Sequence, residues 1–227
     1  MTLQAVLRSL AALLALAALA GCGTSAPPQP SGQQRAYDPL LHGVPLSQIE
    51  ANQDLCYFAL GQGPLTIERM VDRPLSAGCG HPGAVQVSGG GRLDYNQPFV
   101  ATCKLAAAVA IWQESVAGPA AMRHFGQPLA RVEHWGTYSC RNRNSRQAGP
   151  RSEHATANAI DIAAFHLADG TRITVEGDWG GWGEKGAFLS EIHAGGCRIF
   201  NGVLGPAANA AHRDHFHFDM GRWRFCD

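Results

Sequence analysis

The ten residues "AHRDHFHFDM", 211–220, hold three of the chain's ten histidines and two carboxylates. Side chains alternate along a β-strand. His215 and His217 then emerge on one face, and Phe216 and Phe218 on the other. The phenylalanines are expected to enter a core, leaving two imidazoles side by side in a cleft. That pattern reads as a final strand, "HFHFDM", with chemistry on its solvent face.

A second stretch, "SEHATANAIDI" at 152–162, complements it. His154 and Asp161 are separated by six residues, Ala157, Asn158 and Ala159 among them. Small residues let the chain turn tightly from a loop into a strand, so the two side chains can converge. An imidazole and a carboxylate are good ligands for a borderline cation such as zinc, Zn2+. A catalytic zinc needs three protein ligands and one open position. His154, Asp161 and one of the two strand histidines supply that number, and the other histidine can move protons.

Around these stretches the chain reads as interspersed helices and strands without βαβ regularity. The class is therefore α+β, a small antiparallel sheet with flanking helices. Ser47-Gln48-Ile49-Glu50 has the form of a capping box opening a helix through Leu60. "AVQVS", 84–88, is a short strand. Pro98 suits the first turn of a helix running to Gly118, with Val100, Leu105, Ala108, Val109 and Trp112 on its buried stripe. A shorter helix, 119–125, ends at Gly126, and "LARVEHWGTYS" then alternates like a strand. "NAIDIAAFHL" and "TRITV" form a hairpin turning at Asp169-Gly170. A helix from Glu184 to Cys197 precedes the last strand.

The chain has 18 basic and 18 acidic side chains, a formal net charge of zero, which gives no support to a nucleic-acid grip. After Arg8 comes "SLAALLALAALAGC", too short and too rich in small residues for a stable span. It ends in Leu19-Ala20-Gly21-Cys22, which resembles a bacterial lipobox. Residues 1–22 are accordingly expected to be a lipoprotein signal peptide, with the mature chain beginning at a lipidated Cys22. Gly23 follows, where aspartate would suggest inner-membrane retention, so the favoured address is the periplasmic face of the outer membrane. The membrane is touched only through that lipid. Residues 23–44 are rich in Pro, Gly, Ser and Gln and read as a tether, leaving 45–227 as one domain.

Of seven cysteines, removing Cys22 leaves Cys56, Cys79, Cys103, Cys140, Cys197 and Cys226. None falls in a CxxC spacing. In an oxidising compartment they are expected to form three disulfides, in any of 15 pairings.

"SEHATANAID" is similar to the S-x-H-x-x-G-x-A-x-D pattern of D-Ala-D-Ala metallopeptidases of the vancomycin-resistance type. Ala157 stands where that pattern has glycine, a small change provided the position is not left-handed. "HRDHFHF" resembles the closing motif of the penicillin-insensitive murein endopeptidase, and lysostaphin-type endopeptidases share the H-x-H. These resemblances imply zinc on His154, Asp161 and His217, His215 as general base, and His212 as a helper. The glutamate base of the carboxypeptidases, in an E-x-x-H motif, is missing, since Asp214 directly precedes His215. "TYSCRNRN" resembles the segment that aims an arginine at the substrate carbonyl, which implies that role for Arg141.

From Cys56 to Cys226 the order of "YSCRNRN", "SEHATANAIDI", "CRIFNGVLGP" and "HRDHFHFDM" resembles the extensin-like C-terminal domain of bacterial envelope proteins. The resemblance implies the hedgehog/D-Ala-D-Ala peptidase type of zinc fold, stapled by disulfides. It also implies a hydrolase acting on peptidoglycan peptide stems, with a non-catalytic zinc-containing wall-binding or structural module as the alternative. There is no G-x-S-x-G elbow to suggest a serine nucleophile. In "GDWGGWG", 177–183, Trp179 and Trp182 are candidates to flank a substrate groove. Glu176 and Glu191 are spare base candidates. His166 falls on the opposite strand face from Asp161, and His81, His124, His134 and His193 read as ordinary histidines.

Overall fold

The computed structural model describes residues 38–91 and 93–227. The signal segment, Cys22 and the tether through residue 37 lie outside them. Residues 38–44, the last of the expected tether, belong to the fold. Strands β1 (Leu40–Leu41) and β2 (Val44–Pro45) pair as a hairpin, and Leu41 is buried in the core.

Helices α1 (Leu46–Ala51) and α2 (Gln53–Gly61) follow. The expected capping box does not form. The cap of α1 is Pro45, and Ser47 sits inside the first turn, bonding through its N–H and Oγ to Asp38. At Asn52 the backbone turns extended, and its side chain accepts from Leu55 N at 3.0 Å, so one expected helix becomes two.

Strands β3 (Thr66–Arg69), β4 (Arg73–Ser76), β5 (Cys79–His81), β6 (Ala84–Gly89), β7 (Asp94–Tyr95) and β8 (Phe99–Thr102) come next. β3, β6 and β8 form a three-stranded antiparallel sheet, and β4 pairs with β5. Here the expected helix from Pro98 is corrected. "FVAT" pairs with β6, and the helix opens only at Cys103, where Thr102 Oγ1 accepts from Leu105 N. β-branched Val100 and Thr102 fit a pleated surface as readily as a helix, and the neighbouring strand decides between them.

Helix α3 (Cys103–Trp112) runs into one π-helical turn, Gln113–Ala117, and then α4 (Gly118–Phe125), which closes on left-handed Gly126. Every residue of α3 from Leu105 to Trp112 is buried, so the helix lies inside the core instead of presenting one stripe to it. The remaining elements are β9 (Leu129–Gly136), β10 (Ala159–Leu167), β11 (Arg172–Thr174), α5 (Val175–Asp178), α6 (Glu184–Ile199), β12 (Gly202–Leu204), β13 (Phe216–Asp219) and β14 (Phe225–Cys226).

The main sheet has seven strands in the order β14-β12-β13-β10-β9-β7, with β11 also paired to β10. It is largely antiparallel, with parallel pairs at both edges, β12–β14 and β7–β9. One face rests on the helices. Phe218 packs on Trp112 and Phe200, Phe165 on Trp112 and Phe188, and Phe216 on Trp179 and His193. The Trp112 indole N–H donates to Ile192 O at 3.0 Å, tying α3 to α6. Among the described residues no helix is long and apolar enough to cross a membrane.

Three disulfides staple the fold: Cys56–Cys103, Cys79–Cys140 and Cys197–Cys226. The first joins α2 to α3. The second holds the segment after β9 against β5. The third fastens α6 to the last strand.

The approach of α6 to the π turn is close. A methyl on Gly195 would lie 2.3 Å from Val116 Cγ1. Alanine gains about 1 kcal/mol of helix propensity over glycine, but overpacking costs about 1–3 kcal/mol. At 2.3 Å the overpacking falls at the upper end of that range, so Gly195→Ala is expected to lower the unfolding free energy by about 2 kcal/mol in urea titrations. Unchanged or raised stability would mean that this helix contact has slack.

Candidate metal centre

The face of the sheet opposite the helices carries the polar cluster. In the β10–β13 register Asp161 stands directly across from His217, while Ile160 faces Phe218 and Ile162 faces Phe216. Alternation therefore puts Asp161 and His217 on the cleft side and their apolar neighbours in the core. His215 lies one residue before β13, on the same side as His217.

His154 arrives from a short 3-10 turn, Glu153–Thr156, whose start is capped by Ser152 Oγ accepting from His154 N. The turn is released into β10 by Ala157, which is left-handed at φ 53° and ψ 33°. Alanine at the glycine position of the motif is thus not a neutral change: an L-residue there costs roughly 1–2 kcal/mol. Asn158 holds the junction, accepting from Thr102 Oγ1 and donating to Glu153 Oε2, both at 2.8 Å.

Three donor atoms meet. His217 Nδ1 lies 2.9 Å from Asp161 Oδ1, His154 Nε2 lies 3.1 Å from the same oxygen, and the two nitrogens are 3.2 Å apart. All three residues are at most 8% exposed. The far side of each ring has a partner. His154 Nδ1–H donates to Thr137 O at 3.1 Å, which leaves the Nε2 lone pair facing the centre. His217 Nε2–H donates to Asp219 Oδ2 at 3.1 Å, and Asp219 Oδ1 accepts from Gly221 N at 2.7 Å. Such outer partners fix ring orientation and raise the basicity of the inward nitrogen. His154, Asp161 and His217 could hold one divalent metal ion.

Burial disfavours the Asp161 carboxylate, yet hydrogen bonds and charge from His154 and His217 hold its pKa far below the usual carboxylate range. For His217, burial disfavours the charged form, but Asp161 and Asp219 outweigh it and push the pKa up to about 9. The metal-free centre therefore keeps a proton on His217 at neutral pH. An ion binding at Nδ1 must displace it. Apparent metal affinity is expected to rise about tenfold per pH unit below pH 9, read by chelator competition between pH 6.5 and 8.5. A flat profile would show that His217 Nδ1 is not a ligand.

The other expected site residues surround this set. His215 Nε2 is 3.5 Å from Asp161 Oδ1, its Nδ1–H donates to Asp214 Oδ1 at 2.9 Å, and its ring lies 5.0 Å from that of Trp135. The ring of His212 lies 5.2 Å from that of His215 and 5.7 Å from that of His217, with Nδ1 bonded to Asn209 Oδ1. Burial, then the neighbouring histidines, lower its pKa to about 4, so it is neutral at pH 7. The Arg141 guanidinium is 3.8 Å from Asp161 Oδ2. All of these except Trp135 and Asp214 line a cleft of about 470 Å³.

Asp219, the Thr137 carbonyl and Trp135 were not singled out by sequence reasoning. The alternation that puts His217 on the cleft face also puts Asp219 there two residues later, a signal that could have found it. A backbone carbonyl leaves no such trace. Other candidates fall elsewhere. Glu191 bonds Arg123 and His124, Glu176 is exposed away from the cleft, and His166 bonds Glu133. Trp179 is a packing partner of His193 and Phe216, and Trp182 lines a separate cavity, so neither borders the cleft. His193, Cys197 and Cys226 also cluster, but the two sulfurs are bonded to each other.

The family model described as extensin-like protein C-terminus matches residues 54–227. The chain belongs to that family. Its matched region takes in all three disulfides and every residue of the His154–Asp161–His217 set. No curated protein and no solved structure matches this extensin-like chain.

Proposed function

We propose that this extensin-like domain is a zinc-dependent peptidoglycan peptidase, an endopeptidase or carboxypeptidase that hydrolyses an amide bond in the peptide stem or cross-link. The observation that carries the reading is the meeting of His154 Nε2, Asp161 Oδ1 and His217 Nδ1, mutually 2.9–3.2 Å apart. Zinc bonds of about 2.0–2.1 Å in a tetrahedron separate neighbouring ligand atoms by roughly 3.3 Å. The donor set needs to open by only a few tenths of an ångström to fit. Two imidazoles and a carboxylate are also the donor types of hydrolytic zinc sites, with a fourth position left for solvent.

Zinc held by His154, Asp161 and His217 would supply Lewis acidity and lower the pKa of an attacking water toward neutrality. His215, its Nδ1–H fixed by Asp214, keeps the Nε2 lone pair towards the cleft and takes the proton from that water. It then returns the proton to the leaving amine. Arg141 places positive charge where the carbonyl oxygen becomes an oxyanion. His212, neutral at pH 7, lets His215 accept the proton without a second cation beside it. The likeness of "SEHATANAID" and "HRDHFHF" to zinc peptidase motifs supports the same reading. The lipobox-like segment and the three disulfides support a lipid-anchored periplasmic location, with the outer membrane favoured.

The test is cleavage of cross-linked muropeptides and of pentapeptide stems by the full chain, with and without a chelator. Products are expected that vanish with the chelator and return with zinc. His215→Ala is expected to keep its zinc and lose about 100-fold or more in turnover. A wall-binding module would instead keep both zinc and wall affinity with no turnover in either protein. No chelator-sensitive product from any of these substrates would end the peptidase reading.

A further inference from the structure

Beyond the donor set, Arg141, Arg143 and Arg222 line the cleft. None makes a close ion pair among the described residues. The nearest carboxylate oxygen to Arg141 is 3.8 Å away and the nearest to Arg143, on Glu153, is 3.9 Å away. Arg222 has its guanidinium 4.9 Å from the centre of the Trp223 ring. Arginines that serve the fold look different here. Arg172 grips Glu133 with two hydrogen bonds, and Arg224 donates to Asn201 Oδ1 and Cys197 O.

The segments bearing Arg143 and Arg222 meet at Glu153. Its Oε1 faces Arg143 and its Oε2 accepts from Asn158, while a methyl on Gly221 would touch its carboxyl carbon at 2.8 Å. Asp161 and Asp219 are engaged by histidines and Asp161 Oδ2 also faces Arg141, so Glu153 is the remaining anion among the cleft-lining residues for the two guanidiniums of Arg143 and Arg222. The loop bearing Arg143 is also held in strain. Asn144 and Ser145, both lining the cleft, have φ 52° and 54°. The strain is maintained by Asn142 Nδ2 donating to Arg146 O and Gln147 O, by Arg143 N donating to Pro150 O, and by the Cys79–Cys140 bridge. Non-glycine residues in succession in that region persist only where surroundings impose them, commonly at ligand clamps.

We infer that Arg143 and Arg222 form a subsite that reads a free carboxylate on a peptide ligand, beside the Asp161-centred donor set. The ligand is an acidic peptide, not a capped or amidated one, and its aliphatic part lies against Leu204, Trp223 and Phe225 of the same cleft. The inference rests on the peptidase reading for the bond that is cut, and on the arginines alone for the carboxylate that is read.

The test is calorimetric binding to the zinc-loaded full chain carrying His215→Ala, so that ligand is not consumed. One probe is the pentapeptide L-Ala-D-Glu-diaminopimelate-D-Ala-D-Ala. The other is the same peptide with every carboxyl converted to carboxamide. The acid is expected to bind about tenfold or more tighter, as charge-assisted bonds to guanidinium require. R143Q combined with R222Q is expected to erase that preference and leave the amide unchanged, while R198Q, outside the cleft, changes neither. Each single variant is expected to lose about threefold, half of a tenfold effect on a logarithmic scale, which keeps the test open if the double variant fails to fold. Equal binding of acid and amide, no binding of either, or equal weakening of both by the double variant would overturn the inference. A retained acid preference without any cleavage by the parent chain would overturn only the peptidase reading, and cleavage without the preference only the subsite.

Discussion

On the proposed zinc peptidase reading, Asp161→Asn is expected to empty the centre and abolish turnover. Its Oδ1 is the atom on which the site converges, with His217 Nδ1 at 2.9 Å, His154 Nε2 at 3.1 Å and His215 Nε2 at 3.5 Å. Asparagine keeps the shape but removes the only negative charge in the donor set. If the roughly 10–16 kcal/mol of a four-ligand zinc site is shared among its bonds, one ligand is worth about 3 kcal/mol, or more than about 100-fold in affinity. Elemental analysis and chelator competition read this directly. One zinc per chain at parental affinity in the variant would remove Asp161 from the centre.

The same substitution has a second, metal-free signature. The His217 pKa stands at about 9, above its unfolded value, because Asp161 and Asp219 both stabilise its charged form against burial. The stability that this contributes is fully present below the unfolded histidine value of about 6.5 and is lost as pH rises through about 9. With one carboxylate gone the raised pKa falls back. The loss of stability between pH 6.5 and 9, measured by urea unfolding in chelator, is expected to flatten in Asp161→Asn. Parallel profiles would show that Asp161 does not govern that proton.

Removing the Cys56–Cys103 bridge is expected to cost about 4 kcal/mol. The two cysteines are 47 residues apart and both are buried, at 1% exposure. Chain entropy for a loop of that length gives about 4 kcal/mol at 25 °C, and each kcal/mol shifts the melting temperature of a chain this size by about 2–4 °C. A double alanine variant should therefore melt about 8–16 °C lower. The location argues for the full effect, because Cys103 opens α3, the helix buried along its whole length after Lys104. A loss under about 1 kcal/mol would mean that the denatured chain already holds α2 against α3.

The sequence carried the chemistry of the centre more fully than its support. Alternation in "HFHFDM" separates Phe216 and Phe218 from His215 and His217, and the structure keeps that division. The even cysteine count foresees three bridges, but pairing depends on which segments the fold brings together, and spacing holds no record of that. The helix expected from Pro98 fails over its first residues because Phe99–Thr102 pair with β6, a contact that the preferences of those four residues do not record. Ala157 could be read as harmless only while its backbone angle was unknown. Arg143 and Arg222 gave no signal at all, since arginines in loops acquire a role only through what they surround.

The three donors are mounted on unequal supports. Asp161 and His217 ride on adjacent strands in register, so the ladder between β10 and β13 fixes their separation. His154 sits on a single 3-10 turn ending at a conformationally costly alanine. For the proposed ion, any gate, inward or outward, is therefore the short arc from Ser152 to Asn158. Residence time at the centre should respond to substitutions in that arc far more than to equally close ones in the sheet.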